Sequence, residues 1–193
     1  TINGPATLGS AAGTVRTIDA SAVSAGAGGL AFSGGISNGT TATSIRKIGG
    51  GQLQLNASSS FTGGVALDAG TLFVNNNNAL GTGTLTIAAN TTLSVPGPSN
   101  RTVANVVVVN GDFTLGASGK GRLTLAGPVD LGSATRTVTI GNDNGNVISG
   151  TIAGSGGLTV SASGTGGLTL SAVNTYTGAT RIATGTVFLA NVG

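Results

Sequence analysis

Apolar residues recur along this chain in short units of apolar, polar, apolar. Leu53-Gln54-Leu55, Leu85-Thr86-Ile87, Phe113-Thr114-Leu115 and Leu123-Thr124-Leu125 are four of them, and Val138-Thr139-Ile140, Leu158-Thr159-Val160 and Leu168-Thr169-Leu170 continue the series. Side chains i and i+2 of an extended strand share a face. Each unit therefore predicts a short strand that buries two aliphatic groups and turns its central Thr or Gln outward. Gly, Asn and Ser fill the intervals, as residues of tight turns do. Strong helix formers are rare or missing, and Gly interrupts nearly every window.

The strand units follow one another too densely for helices to lie between them, which excludes a doubly wound α/β fold. An antiparallel sandwich or barrel and a β-solenoid remain, and internal repetition separates them. Gly51 to Val74 aligns without a gap on Gly166 to Leu189. Leu53 and Leu55 fall on Leu168 and Leu170, Phe61-Thr62-Gly63 on Tyr176-Thr177-Gly178, and Gly70-Thr71-Leu72 on Gly185-Thr186-Val187. Repeats that cannot bury their own apolar faces stack into one continuous core. The expectation is an all-β chain, a right-handed parallel β-helix spanning 1–193 as a single domain. Coils of about 20 to 24 residues, each rising ~4.8 Å, give roughly eight or nine coils. A sandwich of repetitive strands is the competing architecture.

Composition agrees with a narrow aliphatic lumen. Aromatics make up 3% of residues against 39% hydrophobic overall, and Gly accounts for 36 positions. Only 7% of residues are charged, so the pI of 10.2 reflects few titrating groups more than a basic surface. The cations Arg16, Arg46, Lys47, Arg101, Lys120, Arg122, Arg136 and Arg181 are scattered. Phosphate binding needs converging cations, so no nucleic-acid partner is expected. No apolar run reaches the ~18 residues of a membrane-spanning helix, and none is expected in this chain. The chain opens on Thr1 and reads as a mature product or a fragment.

The stretch Ser149-Gly150-Thr151-Ile152-Ala153-Gly154-Ser155-Gly156-Gly157-Leu158-Thr159 runs on to Gly167-Leu168-Thr169-Leu170-Ser171-Ala172. Asn174-Thr175-Tyr176-Thr177-Gly178 and Gly185-Thr186-Val187 follow. This resembles the autotransporter-associated β-strand repeat of bacterial passenger domains. A weaker copy carries Phe61-Thr62-Gly63-Gly64, Ala69-Gly70-Thr71-Leu72 and Ala79-Leu80-Gly81-Thr82. The resemblance places passenger-type repeats at 49–87 and 150–189. It marks Leu53, Leu55, Phe61, Gly63, Gly70, Leu168, Leu170, Tyr176, Gly178 and Gly185 as structural repeat positions. Two departures stand out: Ala179 where a second Gly is usual, and Ser58-Ser59-Ser60 in place of an Asn-Thr stretch. The resemblance implies an extracellular or cell-surface location, and no single activity.

Reactive chemistry is thin. His, Cys and Glu are absent, so neither a Ser-His-Asp nor a Cys-His system can be assembled. No catalytic residue, metal ligand or cofactor site is expected. Glycoside cleavage needs only two carboxylates, and Asp112 and Asp130 could supply them from neighbouring coils; each also reads as a turn residue. Asn142-Asp143-Asn144-Gly145-Asn146 hints at a calcium loop but offers one carboxylate where calcium takes several. Asn75-Asn76-Asn77-Asn78 reads as an amide ladder or a solvated loop. Thr rows suggest ice-surface templating, against which irregular coil lengths argue. The expected function is a non-enzymatic structural or adhesive module, or a subunit of a fibre stacked end to end, with glycan or host-surface contacts. The alternative is a polysaccharide-binding or polysaccharide-cleaving β-helix. The ends at Thr1-Ile2-Asn3-Gly4 and Gly193 carry no obvious cap, so either more chain flanks this piece or copies stack end to end.

Overall fold

A computed structural model describes residues 3–7, 14–21, 29–163 and 165–190. The described residues contain strands and turns and no helix. Every strand pair is parallel. The strands form an eight-stranded, a seven-stranded and a five-stranded sheet, with a two-stranded pair of Ala6–Thr7 and Ile36–Ser37. The chain visits the sheets in rotation. Val107–Val109 lies in the seven-stranded sheet, Phe113–Leu115 in the eight-stranded and Leu123–Leu125 in the five-stranded, and Val129–Asp130 returns to the first of these. A parallel sheet whose neighbours are one circuit apart is a parallel β-solenoid, here of about seven turns.

That number sits just under the eight or nine coils expected because the coils are unequal. Leu53 pairs with Leu72, 19 residues on, Phe113 with Val138, 25 on, and Val15 with Ser44, 29 on. The surplus residues leave at the corners, and the strands keep their register.

The apolar-polar-apolar units act as the pattern demands. Leu53, Leu72, Leu93, Leu115 and Ile140 stack in register on successive coils, and all are buried. Val65, Leu85, Val107, Val129 and Ile152 form a corresponding column in the seven-stranded sheet. These columns meet in one core cluster running the length of the stack. Each fully buried Leu or Val contributes about 1.5–3 kcal/mol relative to exposure. Buried polar side chains also occur, and none of their N or O atoms lacks a hydrogen-bond partner among the described residues.

Candidate functional site

The repeat positions lie where core and corners are made. Leu53, Leu55, Leu168 and Leu170 point inward and are buried. Phe61 is fully buried in the corner before Val65–Leu67. Tyr176 is half-buried against the same core, and its hydroxyl shares a hydrogen bond with Thr180 Oγ1. A phenol needs such a partner and a phenyl ring, as in fully buried Phe61, does not. Gly63 and Gly178 press against the backbone of the preceding coil, at Thr43–Ser44 and at Gly156–Gly157. Gly70 and Gly185 turn the chain into the last strand of each copy at φ +69° and +81°, in the left-handed region that side chains disfavour. Ala179 replaces Gly64, whose φ is +88°. At Ala179 the backbone keeps a negative φ, yet its carbonyl still accepts from Leu158 N at 3.0 Å, as that of Gly64 does from Ile45 N.

The carboxylates considered for glycoside chemistry serve the backbone. Asp112 Oδ1 accepts from Thr137 N at 2.8 Å on the next coil, ahead of the eight-stranded sheet. Asp130 Oδ1 accepts from Gly132 N at 2.8 Å, within the seven-stranded sheet. Each carboxylate is thus engaged with a backbone N–H, and no hydrogen bond links the two. In the loop read as a calcium candidate, Asn142 and Asn146 are buried rather than turned to an ion. Asn146 Nδ2 donates to Leu115 O at 2.8 Å and to Asn142 Oδ1 at 2.7 Å, while its Oδ1 accepts from Leu123 N at 2.9 Å. No group of three or more carboxylates or other strong metal ligands occurs among the described residues.

Most cations are engaged within the chain. Arg46 pairs with Asp68. Arg101 donates to Asn75 O at 2.7 Å and Asn75 Oδ1 at 2.9 Å, and Lys120 Nζ to Pro96 O at 2.9 Å. Lys47 is fully buried, which sequence reading did not foresee. Its Nζ donates to the carbonyls of Ile48, Gly49 and Ala69 at 3.1, 2.6 and 2.9 Å, tying two coils together. Burial pulls this ammonium below the usual lysine range, and Asp19 opposes that pull. Ser21, through its hydroxyl and its N–H, holds the Asp19 carboxyl below the usual range.

The outward face of the eight-stranded sheet is polar and regular. Thr71, Thr92, Thr114, Thr139 and Ser161 line up on five successive strands of the eight-stranded sheet. The run Asn75 to Asn78 acts as a bracket between coils. Asn75 Nδ2 donates to Asn56 Oδ1 at 3.2 Å, and Asn77 Oδ1 accepts from Thr102 N at 3.0 Å. With Asn100 and Arg101 these amides line an open hollow of about 370 Å³.

Residues 45–74 and 160–187 match the family model described as the passenger-associated-transport-repeat. Over 116 residues, 60% of this chain, the sequence is 37% identical to the adhesin BmaC autotransporter of Brucella suis biovar 1 (strain 1330). Those residues cover 3% of that relative's length, so this chain spans a small part of it. No solved structure matches.

Proposed function

We propose that this chain, which carries two passenger-associated-transport-repeats of the bacterial autotransporter type, is a cell-surface adhesin or passenger module with a structural or adhesive role and no catalytic one. The observation that carries this reading is the coincidence of those repeats with an aliphatic-cored parallel solenoid whose eight-stranded sheet presents an outward row of Thr and Ser. The stack sets length and stiffness, and the row offers many weak hydrogen-bonding contacts to a glycan or a host surface. Four of the five carboxylates and most of the cations are already bonded within the chain, which also supports a role without chemistry and without nucleic acid. Antibodies raised against the purified chain test the location. Labelling of intact producing cells is the expected result, and labelling confined to permeabilised cells would overturn it.

A second reading rests on one further observation. Ile182 and Leu189 continue the buried columns of Val160 and Leu170, yet are 52% and 61% exposed. An edge of this kind accepts another coil, from further along the same polypeptide or from a second copy, and in the second case the heterologous contact propagates. Electron microscopy across a concentration series tests it: fibres that vanish in Leu189→Lys support it, and isolated rods at every concentration sink it.

A further inference from the structure

Immediately before the strands of the five-stranded sheet, one position per coil forms a column of Arg122, Gly145, Gly167 and Thr186. The two glycines leave bare backbone on successive coils. Above this floor stands Arg122; below it, the ring of Phe188 lies across Gly167. A Cβ added at Gly167 would come within 2.9 Å of Phe188 Cε2. The result is a depression of about 270 Å³, floored by Gly145 and Gly167 and walled by Arg122, Asp143, Thr169 and Phe188.

Three features of this place are unusual in the molecule. Phe188 is 56% exposed, whereas Phe32, Phe61, Phe73 and Phe113 are all at most 8% exposed. It occupies the outward row after Thr124, Val147 and Thr169, on the last described coil. Arg122 and Asp143 are both exposed, and neither side chain has a hydrogen bond or ion pair among the described residues. A carboxylate, a guanidinium and an aromatic face thus converge, unengaged, on one shallow concavity.

We propose that this depression binds a pyranose unit of an oligosaccharide. A sugar ring presents an apolar C–H face and a rim of vicinal hydroxyls. The Phe188 ring suits the former. The Asp143 carboxylate accepts hydroxyl hydrogens, and the Arg122 guanidinium donates to hydroxyl or carboxylate oxygens. With coils ~4.8 Å apart, a floor of two glycine-bearing coils has the dimension of one sugar ring. Opposite charges on one rim disfavour a polyphosphate, which needs converging cations. Glycan contact deepens the surface-module reading and rests on it only for where the sugar is encountered.

The test uses the purified chain on an array of neutral and uronate-containing oligosaccharides, followed by NMR titration with the tightest binder. The expected result is amide shifts at Gly145, Gly167, Thr169 and Phe188. Affinity should fall about tenfold in Phe188→Ala and be retained in Phe188→Tyr. Arg122→Gln should weaken uronate-containing glycans more than neutral ones. These side chains are exposed, so the variants keep the fold. No binding across the array, or binding unchanged by Phe188→Ala, overturns the site. Because no cell enters this experiment, its failure leaves surface display standing, and failed surface display leaves this site standing.

Discussion

Asn146 donates its amide hydrogens to Asn142 Oδ1 at 2.7 Å and to Leu115 O at 2.8 Å, and so locks a buried corner between two successive coils. Its Oδ1 simultaneously accepts from Leu123 N at 2.9 Å. Asn146→Ala leaves the Leu123 N–H and the buried Asn142 Oδ1 without these partners, at about 1–3 kcal/mol for each such group, while Leu115 O keeps the Gly141 N–H. Urea denaturation should show a loss of about 2–4 kcal/mol. A loss below ~0.5 kcal/mol, typical of surface substitutions, would contradict a buried network there.

Gly70 combines a φ of +69° with a backbone so close that an added Cβ would lie 2.4 Å from Gly51 O. A left-handed conformation costs a side chain roughly 1–2 kcal/mol, and the clash adds to it. Gly70→Ala should destabilise by more than ~2 kcal/mol in thermal or urea unfolding. Gly50→Ala is the control, since nothing lies within 4 Å of its Cβ position. Equal effects in the two variants would refute the close approach.

Asp19 gives the chain a pH-dependent corner. Both Ser21 donors hold its carboxyl below its ordinary value of 3.8. A carboxyl depressed in the folded state stabilises above the unfolded value and loses that contribution as pH falls through the folded one. Asp19→Asn should therefore unfold at a lower temperature than the parent at neutral pH. The gap should close below the folded value, which itself lies under 3.8. A gap constant down to the acid limit would argue against the Ser21 contacts.

The strands, the inward columns and the parallel stacking are legible in the alternating units of the sequence. The face each unit occupies is not. Leu53 and Leu168 hold the same place in the sequence repeat, yet Leu53 stacks on Leu72 in the eight-stranded sheet and Leu168 on Val187 in the five-stranded. The strand-turn-strand chemistry of a copy fixes its corner and its inward residues, and nothing local in it records which side of the solenoid it occupies. The register of the Thr row is hidden for a related reason. Unequal coils, of 21, 22 and 25 residues along this row, obscure it in sequence, while corner loops absorb the difference and keep Thr71, Thr92, Thr114 and Thr139 aligned. Thr1, Ile2 and Gly193, at the ends that carry no obvious cap in sequence, lie outside the described residues. Arg122 and Phe188, 66 residues apart in sequence, meet one hollow only because the coils stack. The spacing of Arg122, Gly145 and Gly167 at 23 and 22 residues was the signal that could have found it.

Thr102 and Val103 are adjacent in one strand; Thr102 is exposed and Val103 is 0% exposed. The chain has no cysteine, so single Thr102→Cys and Val103→Cys substitutions each give one reactive thiol. Intact cells displaying the protein are treated with a membrane-impermeant maleimide. The account predicts that Thr102→Cys is labelled on intact cells and that Val103→Cys is labelled only after denaturation. Labelling of Val103→Cys in the native protein would contradict the solenoid, and failure of Thr102→Cys to label until cells are permeabilised would contradict its place at the surface.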